Sequence, residues 1–142
     1  MKHKLLSKAS IYIIFIIYII LLLKTTVFRY DFFLFGGSVN LYPFFGYFYL
    51  IEAKRYFYTT YLFVGNIICF VPFGILVPLI SKRNILFSKT LVLGFILSLA
   101  IETAQYILGT GISEVDDLIL NTIGVLLGYL IIYKLIYRRQ KL

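Results

Sequence analysis

The chain has 142 residues, of which 61% are hydrophobic, with 14 Lys and Arg against 6 Asp and Glu and a formal net charge of +8. Its mean hydropathy is +0.95, more apolar surface than a soluble domain of this size can bury, which identifies an integral membrane protein. The positive charge does not mark a nucleic-acid binder, because the basic residues flank apolar runs, where they act as topology signals and head-group anchors. One cysteine, Cys69, excludes a disulfide or a cysteine-based metal site within one chain, and the one histidine, His3, lies in the charged N-terminal tail.

Four apolar stretches follow one another, at about 9–28, 61–81, 90–108 and 118–137. Each approaches the ~20 residues that a helix needs to cross hydrocarbon. The expected fold is therefore an all-α integral membrane bundle, a single domain over 1–142 with its core at about 9–137. The first stretch carries Lys24 near its end, where a long side chain can snorkel to the interface. The segment after it, "KTTVFRYDFF", lacks the small residues of a signal-peptidase site, so a retained signal anchor is expected.

The loop that follows is rich in rings. Residues 28–61 hold 15 of the chain's 27 Phe and Tyr, including "YDFFLF" and "YPFFGYFY". They form either an interfacial aromatic belt or short surface-lying helix, or a platform on which a lipid or sugar stacks. The second stretch contains "NIICFVPFGILVP", with Pro72, Gly74 and Pro78 at positions that kink a helix or free its carbonyls. After the second stretch come Lys82, Arg83 and Lys89, and the C-terminal end holds Lys134, Arg138, Arg139 and Lys141. With Lys2, Lys4 and Lys8 at the other end, this bias puts both termini in the cytoplasm. The aromatic loop, between helices 1 and 2, and the loop between spans three and four, which has no Lys or Arg, are then extracytoplasmic.

The polar residues within the spans gather at one depth. Glu102 lies six residues before the outward end of span three, ~9 Å deep at 1.5 Å of rise per residue. Gln105 is three residues further out on the same face. Asn121 lies four residues beyond Asp117 in span four, and Asn66 five residues inside span two. Each also has a structural reading. Ser113 and Asp116 match a capping box, and Glu114, Asp116 and Asp117 suit the positive end of a helix. Asn66 and Asn121 are placed to hydrogen-bond between helices, at about 0.6 to 2 kcal/mol each. A carboxyl at depth is expensive and marks a pathway, a relay or a ligand counter-ion, unless Glu102 is held by Asn121 or Gln105. Further along span four, "NTIGVLLG" sets Gly124 and Gly128 on a small-xxx-small face that another helix can approach closely, within the chain or in a homo-oligomer.

"NLYPF" at 40–44, Asn66 with "FVPFG" at 70–74, "SLAIETAQ" at 98–105 and "VDDLILNTIGVLLGY" at 115–129 stand in an order that resembles the VanZ-like family of small membrane proteins. The resemblance runs from about residue 9 to 137. It implies a polar signature at Asn40, Asn66, Glu102, Gln105, Asp116, Asp117 and Asn121, and a role in low-level tolerance of teicoplanin, a glycopeptide with a fatty chain. Two positions depart from the pattern: Ile112 stands where a basic residue often follows the loop glycine, and Glu114 where Asp is usual. If that basic residue helps to bind an anionic head group, a different ligand or weaker binding is expected here.

Three functions are then expected in descending order. The first is a binding module that shields a lipid-linked wall precursor or captures the antibiotic at the outer leaflet, without a cofactor. The second is a membrane enzyme acting on an envelope lipid or its sugar, with Glu102 as general acid and Asp117 as its ionised partner, or with Asp116 and Asp117 as weak candidate ligands of Mg²⁺. The third is a structural or transport subunit with Gly124 and Gly128 on its oligomer seam.

Overall fold

The structure is a computed structural model that describes residues 7–28, 34–81 and 87–140, with side chains through 135. Five helices and two short strands follow in the order α1 (Lys8–Thr26), β1 (Ser38–Asn40), α2 (Phe45–Glu52), α3 (Tyr56–Ile80), α4 (Phe87–Leu108), β2 (Ile112–Glu114) and α5 (Val115–Gln140). Of these, α1, α3, α4 and α5 are long and apolar enough to cross a membrane. The topology signals at Lys2, Lys4, Lys82, Arg83 and Lys141, and His3, lie outside the described residues.

Helix α3 begins at Tyr56, five residues before the expected span. The extra turn is "YFYTT", whose rings and threonines lower its resemblance to aliphatic hydrocarbon without disfavouring a helix strongly. Pro72 and Pro78 both lie inside α3, which runs unbroken past them. Next to the first proline, Tyr18 Oη of α1 donates to the Cys69 carbonyl at 2.9 Å, which joins these two helices by a side chain.

The main seam of the bundle lies between α3 and α5, and it is made of backbone. Gly124 meets the Ile67 carbonyl and the Phe70 side chain, while Gly128 meets the Val71 carbonyl and Gly74. Gly74 in turn faces the Val125 carbonyl. A Cβ at any of the three would collide with main-chain atoms, so only glycine permits this approach. Of the two uses expected for the face of Gly124 and Gly128, the approach within the chain is the one that α3 makes. Such contacts matter here because lipid is as apolar as the helices themselves, leaving van der Waals closeness and hydrogen bonds to hold the bundle together. Phe70, Leu120 and Val125 are fully buried beside this seam. Helix α4 closes on it with small residues, and Gly94 lies against the Val125 side chain.

At one end the bundle carries a cap of non-spanning chain. Strand β1 pairs in parallel with β2, in the register Ser38↔Ile112, Val39↔Ser113 and Asn40↔Glu114. The all-α expectation therefore needs one small amendment, since this ladder ties the aromatic loop to the α4–α5 connection. Gly37 passes against the Tyr106 backbone, and the Phe35 N–H donates to the Ile107 carbonyl at 2.8 Å. Helix α2 is the short helix in the aromatic loop; its Tyr47 ring packs edge-on against Phe63 of α3, with centroids 5.7 Å apart.

Candidate functional site

Beneath this cap lies a cavity of about 350 Å³. The C-terminal turn of α1, the N-terminal half of α3, the last two turns of α4 and the first two of α5 all reach it, together with Tyr47 of α2. Consecutive spans therefore alternate in direction, and the cavity sits where four helix ends converge. Asn66, Glu102, Gln105, Asp117 and Asn121 all line it. With the longer α3, Asn66 is ten residues inside its helix rather than five. Asn40 and Asp116 are not among the lining residues.

Glu102 is 3% exposed. Its Oε2 accepts the Glu114 N–H at 2.9 Å, and the Ser113 side chain also bonds to it. The expected partners, Asn121 and Gln105, turn elsewhere. Asn121 Nδ2 donates to Ser98 Oγ at 2.9 Å, and Gln105 Nε2 donates to the Thr26 carbonyl at 3.2 Å. Ser113 lies in β2, one residue short of the N-cap of α5, so the expected capping box does not form. A helix of another span has taken the serine that would have capped α5.

Asn66 Nδ2 donates to Asp117 Oδ1, joining α3 to the start of α5. Asn66 also shares a side-chain hydrogen bond with Tyr47. Burial, and after it the charges of Asp117, Glu114 and Asp116, pushes the Tyr47 phenol well above its ordinary range. A phenol so placed stays protonated and neutral at physiological pH. Asp116 and Asp117 diverge, as neighbours on a helix must: Asp116 Oδ1 accepts the Phe44 N–H at 2.7 Å, while Asp117 faces Asn66. Among the described residues, no three His, Cys, Asp or Glu side chains are grouped to hold a metal ion.

Asn40 and Asp116 act on the cap. Asn40 Nδ2 donates to Glu114 Oε1 at 3.0 Å and its Oδ1 accepts the Tyr42 N–H at 3.1 Å. Asp116 holds Phe44, whose φ of 59° is left-handed and costs about 1–3 kcal/mol for a residue with a side chain. Together they set the turn "NLYPF" that starts α2.

Two contributors escaped the reading of the sequence, Ser98 and Tyr47, while Ser113, read there as a cap, bonds to Glu102 instead. Ser98 had a signal, because Thr90, Gly94, Ser98 and Glu102 recur every four residues and are all buried on one face of α4. Tyr47 had none, being one ring among many.

A multi-span α-helical membrane protein with a capped polar cavity at one end is the class that this fold defines. Its sequence matches the VanZ/LLP1 family model over residues 10–137, and the chain belongs to that family. It is 35% identical over 65 residues to Protein VanZ of Enterococcus faecium, a stretch that covers 46% of this chain and 40% of that protein. No solved structure matches it.

Proposed function

We propose that the chain acts as one VanZ-like domain in the cytoplasmic membrane, with both termini inside and the cap facing out. Its cavity would bind the head group of a cell-envelope component at the outer leaflet and shield it, contributing to tolerance of teicoplanin and related glycopeptides. The observation that carries this reading is the convergence of Asn66, Glu102, Gln105, Asp117 and Asn121, from three helices, on one cavity of about 350 Å³. That volume is at the small end for ligand sites, roughly 300–1,000 Å³. It suits a head group or one sugar and is too small to enclose a whole glycopeptide, which favours the envelope component over the antibiotic as the ligand.

The enzyme reading uses the same Glu102 and Asp117. It is second because Glu102 Oε2 is already engaged by the Glu114 N–H, an arrangement that fixes a carboxyl rather than leaving it to transfer a proton. The subunit reading is third, since α3 occupies the glycine seam.

The test is the minimum inhibitory concentration of teicoplanin, with vancomycin as control. A susceptible Gram-positive host would express wild type, Glu102→Gln or Asp117→Asn at matched membrane levels. Selective tolerance in the wild type that both substitutions abolish is the expected result. Tolerance that survives both would make the carboxyls architectural, and no tolerance in the wild type would reject the glycopeptide role for this chain.

A further inference from the structure

A second cavity, of about 300 Å³, lies beside the first as a groove between α2 and α3. Phe44, Tyr47, Phe48 and Ile51 line it from the α2 side, and Thr60 and Phe63 from the first two turns of α3. No charged side chain among the described residues borders it. Thr59, which completes the lining, donates its hydroxyl to the Arg55 carbonyl at 2.9 Å, leaving its methyl for the groove. Phe48 and Ile51 stay exposed, and α3 is one of the spanning helices, so the groove is open to the hydrocarbon around it.

The two cavities share one side chain. Tyr47 borders both. Its hydroxyl bonds with Asn66 of the polar cavity, while its ring packs against Phe44 and Phe63 of the groove, with centroids 6.2 and 5.7 Å away. A polar chamber and an apolar groove that meet at one amphipathic residue match the two halves of a lipid. Asp116 and Asn40, which line no part of the polar cavity, serve the groove. Asp116 accepts the Phe44 N–H at 2.7 Å and Asn40 Oδ1 accepts the Tyr42 N–H at 3.1 Å. The turn that carries the Phe44 ring is thus fixed from α5 and β1.

We propose that the groove holds a hydrocarbon chain of the same molecule whose head group enters the cavity, so that the ligand is a membrane lipid bound astride Tyr47 rather than a free sugar or peptide. This rests on the head-group binding proposed above and names the class of molecule that carries the head group. Membrane lipid is as apolar as the groove, so the chain gains only close packing there. The head group supplies the hold, and the groove selects what is attached to it. Its size fits a chain and not a helix. The eight residues of α2 span ~12 Å at 1.5 Å of rise each, whereas a partner helix would lie along the ~20 residues of a full span.

The test is native mass spectrometry of the full chain, offered a total polar lipid extract of a Gram-positive membrane in detergent and then washed free of loosely held lipid. Wild type should keep a bound lipid. Thr60→Trp, which fills the groove from an exposed position, and Ile51→Gln, which makes its wall polar, should each lose the lipid while unfolding at the wild-type temperature. Asp117→Asn should lose it too. Leu99→Trp, at an exposed position of α4 that lines neither cavity, should keep it. A lipid kept by both groove variants but lost from Asp117→Asn would overturn the groove and leave the head-group role standing. A lipid lost from the groove variants but kept by Asp117→Asn would separate the two cavities and overturn the two-part site. A second copy of the chain held in place of a lipid would make the groove an interface and overturn the proposal. A wild type that keeps no lipid would overturn both the proposal and the head-group role.

Discussion

The α3–α5 pair is held in two different ways along its length. From Ile67 to Gly74 the helices touch backbone to backbone, with Gly124 and Gly128 pressed on carbonyls of α3. One turn toward the cap the same two helices are joined by Asn66 and Asp117, around a cavity. Both solutions answer one problem, since lipid gives two apolar helices no reason to leave it for each other. The dry part gains attraction from closeness and has no room for one added atom. The polar part gains it from hydrogen bonds, tolerates open space, and can therefore host a ligand. Substitutions that add volume should ruin the first region and spare the second, while those that delete a polar atom should do the reverse.

The largest effect is expected at the seam. Gly124→Val or Gly74→Val drives a side chain into main-chain atoms that cannot step aside, and should cost about 3 kcal/mol, the upper range for overpacking. In detergent this would read as a sharply lowered unfolding temperature or loss of monodisperse protein. Gly65 of α3 is the contrast, because a Cβ there meets nothing within 4 Å. Gly65→Ala should stabilise the helix by about 0.5–1 kcal/mol. Equal damage at Gly65 and Gly124 would show that close approach is not what the seam selects.

Next comes the junction of cap and bundle. Asp116→Ala removes the acceptor of the Phe44 N–H and leaves that donor unpaired at a left-handed residue, at a cost of about 1–3 kcal/mol. Hydrogen exchange should accelerate through α2, residues 45–52, while the α3–α5 seam stays protected. Uniform acceleration across both regions would mean that cap and seam unfold as one unit. Smaller again is the bond of Asn121 to Ser98. A double-mutant cycle with Asn121→Ala and Ser98→Ala should give a coupling near 0.6 kcal/mol, typical of hydrogen bonds between membrane helices.

The same contrast explains what could be read from the residues alone. The four spans were legible because twenty apolar residues in succession have few other uses. The glycine pair was legible as a surface for close approach, but its partner was not: the motif states how near a helix comes and says nothing of which helix. The polar depth was legible from helical rise, and Asn66, Glu102, Gln105, Asp117 and Asn121 meet at one cavity. Their partners were not, because Glu102 is held by the backbone of Glu114, which every residue type supplies. The strand pair left no trace at all. Three residues are too few for an alternating pattern, and the Asn40–Glu114 contact spans 74 positions of chain. Ser113 misled for a physical reason: its hydroxyl could satisfy α5 or Glu102, and only the folded bundle shows that it serves Glu102.

Tyr47 is where the two regions can be compared by pH rather than by volume. Its ring packs on Phe63 of α3, its hydroxyl bonds with Asn66, and Asp117, Glu114 and Asp116 make its ionisation unfavourable after burial has already done so. The folded chain thus holds the phenolic proton more tightly than the unfolded one, whose ordinary value is 10.0. A raised value of this sign contributes stability that is fully present below pH 10 and is lost as pH climbs above it, because the unfolded state then releases the proton first. At pH 8, Tyr47→Phe should cost only about 1 kcal/mol, the net worth of one hydrogen bond. Between pH 10 and 12 the difference between wild type and Tyr47→Phe should shrink and then reverse, as the variant escapes the cost of ionising a buried phenol beside carboxylates. The seam variants lack this signature, since no titrating group lies among their contacts. A wild-type advantage that stays constant through pH 12 would show that the carboxylates of the cavity do not reach Tyr47, and would weaken the case that they act together on anything placed between them.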